Sequence, residues 1–331
     1  LKKILVTGAA GFMGSWIAED LATLKSHKVV GTDIAPPTRY GKSKPPYEFV
    51  LGDLRDREFV VRLAKRVKPQ LLIHLASNAR EGASQFQPYS STSNNMGAYA
   101  NVLEQCIKGG VKKVVLFSSM SVYGDQTPPF DESMPRKPVD VYAVNKAAKE
   151  QMTEILAKTY GFVYTIIRPH NVYGEWQNLK DRYRNVIAIF MNSIMNNEPI
   201  YVHGDGSQKR AFSYILDSLP CYRKLVLEDF PKEVFNIGGN VEISINDIAD
   251  RVIRAMGKKK WKVIHTASRP GEVKDAWCTT TKSEKLLGYK EEYGLDTGID
   301  RMARWAIKVG PVSWTEEKLE LRVADMPAPW R

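Results

Sequence analysis

The chain has 331 residues, 43% of them hydrophobic and 26% charged, with a formal net charge of +11. That length accommodates one large core, or a main domain with a smaller partner. With no run of about 18 apolar residues and only three scattered cysteines, Cys106, Cys221 and Cys278, neither a membrane span nor a disulfide or metal framework is expected. The basic residues are dispersed, the densest cluster being KKKWK at 258–262, so no nucleic-acid partner is expected. The first strand follows directly with no signal-peptide pattern, which makes a cytoplasmic setting the expectation.

The strand KKILVTG (2–8) runs into TGAAGFMGS, where Gly8, Gly11 and Gly14 lead into a helix predicted over 14–24. The first glycine permits a tight turn, the second lets backbone approach a pyrophosphate, and the third lets the helix pack close to the sheet. The helix N-terminus then offers unpaired N–H groups to the anion. The next strand, KVVGTD, ends at Asp33, 19 residues beyond Gly14. A carboxylate there accepts hydrogen bonds from both ribose hydroxyls and repels a 2′-phosphate, which favours NAD over NADP. Arg39, Lys42 and Lys44 follow closely and would tolerate a phosphate. YEFVLGD (47–53) brings Asp53 and Leu54 to the adenine side. After a helix over 56–67, QLLIHLAS (70–77) ends in Leu75, Ala76 and Ser77, where small residues leave room for the cofactor's ribose.

A helix over 89–108 precedes the fifth strand, KKVVLFSS, which emerges into FSSMSVYGD (117–125) with three hydroxyls at its C-terminal end. In a helix predicted over 140–160, DVYAVNKAAKEQ sets Tyr142 and Lys146 four residues apart, on one face and one turn apart. An ammonium beside a phenol favours the phenolate, and a serine hydroxyl can donate to the same substrate oxygen. Together they form a proton-transfer device next to a nicotinamide.

FVYTIIRP (162–169) is the sixth strand, and the rhythm breaks after about residue 170. A polar loop, the helix IAIFMNSIMNN and the strand PIYVHGDG follow, while AFSYILD and VFNIGG read as strands returning to the main sheet. The expected fold class is α/β. A Rossmann-type doubly wound parallel sheet spans 1–170, with returning segments near 211–238. A smaller C-terminal mixed α/β substrate domain comprises 171–210 and 239–331.

ILVTGAAGFMGS, HLAS, FSSMSVYG, YAVNK, RPHNVYG, FNIGG and RPGEV together resemble the extended short-chain dehydrogenase/reductase family. The resemblance is to its NAD-dependent nucleotide-sugar epimerases and dehydratases, and it covers most of the chain. It implies NAD as cofactor, a nucleotide-diphosphate sugar as substrate, and a homodimer through the helices 89–108 and 140–160. The catalytic hydroxyl would be Ser119, the base Tyr142 and its partner Lys146. Phe12, Met13 and Asn94 would join the cofactor set, and Pro169 would back the nicotinamide. Asn171 would contact the substrate's phosphate or base, Ser121 the sugar, Arg210 and Arg269 the diphosphate, and Glu272 the nucleotide ribose. Paired guanidiniums suit a pyrophosphate because each gives two hydrogen bonds. His170 reads as a packing residue ahead of a second acid/base.

In the family's 4,6-dehydratases the two positions after the catalytic Ser/Thr are Asp-Glu, the acid and base that remove water. Here they are Met120 and Ser121, and the glutamate of the decarboxylating xylose synthases is missing too. The expected reaction is epimerisation at C4 through a transient 4-keto sugar of the UDP-glucose/galactose or UDP-uronate type. Dehydration, decarboxylation and ketoreduction are the alternatives within the family, and a non-catalytic NAD-sensing protein is the alternative outside it. NAREGASQFQP (78–88) departs from the usual epimerase sequence. Its Arg80 and Glu81 are expected to contact an unusual sugar, one carrying a carboxylate.

Overall fold

The computed structural model describes residues 1–41, 43–268, 273–315 and 319–321. The first half alternates strand and helix: β1 (Lys2–Thr7), α1 (Phe12–Ala22), β2 (His27–Asp33), β3 (Glu48–Leu51), α2 (Arg57–Val67) and β4 (Leu71–His74). Then come α3 (Glu81–Ser84), α4 (Pro88–Thr92), α5 (Ala98–Lys108), β5 (Lys113–Phe117), α6 (Val141–Tyr160) and β6 (Val163–Pro169). A π-helical turn over Ser93–Gly97 joins α4 to α5, so the helix expected over 89–108 is continuous but locally widened. Helix ends follow their caps. Asp140 accepts a hydrogen bond from Ala143 N at 2.8 Å and starts α6. Gly161, at φ +74°, ends it.

The second half contains β7 (Val172–Tyr173), α7 (Val186–Met195), β8 (Ile200–His203), β9 (Lys209–Arg210), β10 (Ser213–Tyr214) and α8 (Ile215–Leu227). It closes with β11 (Glu233–Ile237), β12 (Ile243–Ser244), α9 (Ile245–Ala255), β13 (Val263–Thr266), α10 (Thr281–Leu287) and α11 (Gly294–Val309). The central sheet has seven parallel strands in the order β11-β6-β5-β4-β1-β2-β3. Its strand order reverses between β1 and β4, the doubly wound arrangement in which ligands bind beyond the carboxyl ends of the strands.

Alternation along β1 sends Ile4 and Val6 to one face and Leu5 to the other. Ile4 and Val6 pack with Ile17 and Leu21 of α1 and Tyr222 and Leu225 of α8. Leu5 packs with Val60 and Leu63 of α2 and Val102 and Leu103 of α5. Both faces are covered, which is why these strands read as unbroken apolar runs. The first layer continues without a gap into Phe190 of α7, Ile248 and Val252 of α9, and Met302 of α11.

AFSYILD does not return to the central sheet as a strand. Ser213–Tyr214 pairs with β7 in a separate two-stranded sheet, and Ile215 already begins α8. The apolar and aromatic run suggested a strand, and Pro220 stands inside the helix that forms instead. Burial of Cys221, Tyr222 and Leu225 overrides the strand signal and the proline. The three cysteines are free and buried. Burial pushes the thiols of Cys106 and Cys221 up to about 12, and that of Cys278 well above its ordinary value. Among the described residues no helix is long and apolar enough to cross a membrane, and no acidic, histidine and cysteine side chains cluster as metal ligands do.

Candidate active site

A cavity of about 940 Å³ runs along the carboxyl edge of the sheet, from the glycine turn to α7 and β8. Its first end is shaped by backbone. Gly8 sits at φ +74°, and a Cβ there would stand 2.7 Å from Ala76 N. A Cβ on Gly14 would stand 1.9 Å from the Gly8 carbonyl oxygen, so neither position takes a side chain. Helix α1 begins with no side-chain cap and no acidic residue in its first turn, which leaves its first N–H groups to an anion. Asp33 lines the same end. It accepts from Ala10 N at 3.0 Å and Ile34 N at 2.7 Å, which fixes the carboxylate against the turn. A glycine turn, a free helix N-terminus and a fixed carboxylate fit a dinucleotide.

Phe12, Met13, Leu54, Leu75, Ala76, Ser77, Asn94 and Pro169 also line this cavity. Asp53 lines it as well, with its carboxylate held by Arg55 at 2.6 Å. The nearby basic residues stand apart. Arg39 is stacked on Trp16 at 3.7 Å and paired with Glu19 at 2.7 Å, and neither it nor Lys44 lines the cavity. Lys42 lies outside the described residues.

Ser119, Tyr142 and Lys146 meet in the middle of the same cavity. Ser119 leaves β5 and caps the short turn Met120–Tyr123, its Oγ accepting from Ser121 N at 3.1 Å. Tyr142 is anchored by its own N–H, which donates to Ser84 Oγ at 3.1 Å. Lys146 donates to the Phe117 carbonyl at 2.8 Å, and its Nζ lies 5.4 Å from the centre of the Tyr142 ring. Burial pushes the Tyr142 phenol above its usual range and Glu81 adds to the rise, while the Ser119 hydroxyl and Arg184 oppose it. Desolvation therefore outweighs the lowering by Lys146 expected from spacing alone. Burial pushes Lys146 itself down to about 8, against the pull of Glu150.

The other expected residues divide. Asn171 and Arg210 line the cavity. The Asn171 amide donates to Ala211 O at 2.8 Å, and the Arg210 guanidinium donates to the carbonyls of Val273 at 2.5 Å and Lys274 at 2.7 Å. Ser121 does not line this cavity but a small adjoining one, shared with Glu81 and Asp140. Met120 is buried among Val122, Tyr123, Phe130 and Cys278. His170 is fully buried, with Nδ1 3.1 Å from Gly239 O. Burial holds it at about 4, and it reaches neither cavity. Arg269 and Glu272 lie outside the described residues. Arg80 lines the cavity with its guanidinium bonded to Asp181 at 2.9 Å, so the sugar contact expected of it meets a carboxylate already in place.

Sequence reasoning missed the wall opposite Tyr142. Arg182, Tyr183, Arg184 and Asn185 line the cavity just before α7, and Trp314 joins them from beyond α11. Asp181 ties this wall down by binding both Arg80 and Arg184, each at 2.9 Å. Trp314 Nε1 donates to Glu198 Oε2 at 2.8 Å. The local signal was DRYRN, in which Asn185 caps α7 by accepting from Ile187 N.

A doubly wound sheet with a glycine turn on its carboxyl edge, and hydroxyl, phenol and ammonium groups along the same edge, defines a dinucleotide-dependent α/β protein. Residues 4–238 match the model of the NAD dependent epimerase/dehydratase family, and the chain belongs to that family. Its cofactor is NAD. The chain is 30% identical to a UDP-glucuronate 4-epimerase of Thermodesulfobacterium geofontis, over 96% of this chain and 97% of that one. It is 29% identical to a mouse dTDP-D-glucose 4,6-dehydratase, over 92% and 88%. Among solved structures it resembles the UDP-glucose 4-epimerase of Thermotoga maritima with UDP-glucose, at TM-score 0.86 and 28% identity, covering 93% of this chain and 99% of that one. It also resembles the UDP-glucuronic acid 4-epimerase of Bacillus cereus with UDP-glucuronic acid and NAD, at TM-score 0.84 and 26% identity, with the same coverage.

Proposed function

We propose that the protein epimerises a nucleotide-diphosphate sugar at C4. The observation that carries this reading is the meeting of Ser119, Tyr142 and Lys146 in the cavity that also holds the glycine turn and Asp33, with Met120 and Ser121 in place of an acid–base pair. Bound NAD supplies a hydride acceptor that becomes the donor on return. Tyr142 takes the proton of the 4-hydroxyl and later gives it back; as the base it acts as phenolate, against the burial that raises its phenol. Ser119 donates to the same oxygen. Lys146 supplies positive charge that favours the phenolate. Met120, buried in an apolar cluster, has no proton to give, which supports epimerisation over removal of water. Residues 1–170 with 211–238 serve the cofactor, and 171–210 with 239–331 hold the sugar nucleotide, with Asn171, Arg210, Arg269 and Glu272 as its contacts.

A second reading has one observation in its favour. Glu81 lines both cavities, and its charge acts on Tyr142. A carboxylate arriving from this loop would serve a dehydratase in place of the missing pair. A homodimer is supported by exposed apolar side chains on the expected helices, Tyr89 on α4 and Val144, Ile155 and Tyr160 on α6. Sedimentation of the purified protein tests it.

For the reaction, the protein is incubated with NAD and each of UDP-glucose, UDP-galactose and UDP-glucuronate, and the products are read by proton NMR. A C4 epimer that disappears in Tyr142→Phe supports the first reading. A keto sugar whose formation requires Glu81 supports the second and overturns the first.

A further inference from the structure

Helix α6 carries another ionisable side chain on its catalytic face. Tyr142, Lys146, Lys149 and Thr153 recur at intervals of four, three and four, forming one buried stripe of the helix. Lys149 is fully buried, and among the described residues no carbonyl, carboxylate or hydroxyl accepts from its Nζ; the polar side chain it meets is Lys146. From α5, the Tyr99 ring centre lies 5.7 Å from that Nζ, and the Tyr99 hydroxyl is bonded to Thr153 at 2.5 Å. From β4, His74 packs on Tyr99 at 4.5 Å with Nδ1 bonded to Thr7. Burial, with the charge of Lys146 adding to it, holds His74 neutral.

The acid next along the helix gives Lys149 no counter-ion. Glu150 binds Arg168 through both oxygens, at 3.0 and 2.7 Å, and Arg136 at 3.4 Å. Glu81 acts on Lys146 and Tyr142. As an ammonium, Lys149 would therefore have no paired charge and no oxygen acceptor, a combination that buried groups avoid by losing the proton. Burial and the charge of Lys146 both push it far below an ordinary lysine. Lys146 differs in having the Phe117 carbonyl.

We propose that Lys149 is a positioning residue of the reaction centre: as a neutral amine it accepts a hydrogen bond from the Lys146 ammonium and holds that charge beside Tyr142. The pair carries one positive charge, and it resides on Lys146, which has the Phe117 carbonyl as an acceptor besides its partner's amine, where Lys149 would have that amine alone. An apolar side chain at 149 would leave one Lys146 N–H buried and unbonded, which favours loss of its proton. The catalytic consequence rests on the proposed role of Tyr142 and Lys146; the protonation states do not.

The test is an NMR titration of the NAD-saturated protein labelled with ¹³C at lysine Cε, with the two signals assigned from Lys146→Met and Lys149→Met. In the wild type, Lys149 should show the neutral-amine shift from pH 6 to 9, and Lys146 should titrate near 8. In Lys149→Met the Lys146 midpoint should fall by about one unit, roughly tenfold in its ionisation constant. Lys149→Gln, whose amide oxygen still accepts, should restore it. A charged Lys149 at neutral pH in the wild type overturns the proposal without any variant. So does an unmoved Lys146 midpoint in a Lys149→Met protein that melts and binds NAD normally. The titration needs no sugar, so a wild type that turns over no sugar nucleotide counts against the proposed reaction and not against the state of Lys149.

Discussion

The two ends of the cavity are built by different means. At the cofactor end, recognition comes from main-chain geometry: a turn whose glycines exclude side chains, an open helix N-terminus and a carboxylate fixed by backbone N–H groups. At the end proposed to hold the sugar, the lining is of long side chains already engaged elsewhere in the chain. Asp181 holds Arg80 and Arg184, carbonyls of Val273 and Lys274 hold Arg210, and Glu198 holds Trp314. A backbone site is shared readily among chains of one fold, because any sequence that makes the turn makes the site. A site of engaged side chains depends on partners brought together by the tertiary fold, so it can differ between relatives with the same sheet.

The sharpest way to break this contrast is at the chemistry between the two ends. Tyr142→Phe should cut kcat by about 10²–10⁴-fold, the range for losing a general acid–base group. NAD affinity should change little, which is read by comparing turnover with cofactor titration. Asp181→Ala should attack the sugar end alone. It removes the buried carboxylate that Arg80 and Arg184 share, so stability to denaturant should fall by about 3 kcal/mol while NAD binding to the folded protein persists.

His170 tests the seam between the ends through pH. Its folded value of about 4 lies below the 6.5 of an exposed histidine, so the unfolded chain binds more protons between those values. The stability it permits is fully present above pH 6.5 and is lost as pH falls towards 4, by roughly 3 kcal/mol in total. In His170→Asn the acid loss of stability should be shallower by that amount, as measured by denaturant melts at pH 4, 5 and 7. Gly14→Ala should act on the backbone end, where the new methyl forces α1 away from Gly8. NAD affinity should weaken, because the pyrophosphate's backbone donors move with the turn, and calorimetry would read it. The gentlest test is the alkaline limb of activity. Lys146 loses its charge as pH rises through about 8, so turnover should decline above that value by up to about tenfold per unit.

The same contrast explains what the sequence disclosed. Gly8, Gly11, Gly14 and Asp33 could be read because a local spacing specifies their geometry, and the inner strands of the first half could be read because both faces of the sheet are buried there, whereas the edge strand β3 is only half-buried. The spacing of Tyr142 and Lys146 showed a shared helix face but not the desolvation that governs the phenol. Arg80 could not be read, because its partner Asp181 lies 101 residues away. Ser121 follows Ser119 closely in sequence, yet the turn at Met120–Tyr123 carries it to the neighbouring cavity. Nothing local marks Lys149, because its burial comes from Tyr99 of α5, which packs against it only in the fold.

The buried cysteines have a practical consequence. Each thiol is screened from solvent and kept protonated well above neutral pH, and only the exposed thiolate reacts with alkylating agents. Cys106 sits within α5, Cys221 within α8 and Cys278 beside the loop pinned by Arg210. The three sites therefore act as built-in clocks of local opening: the rate at which each is alkylated in the intact protein measures how often its own region comes apart.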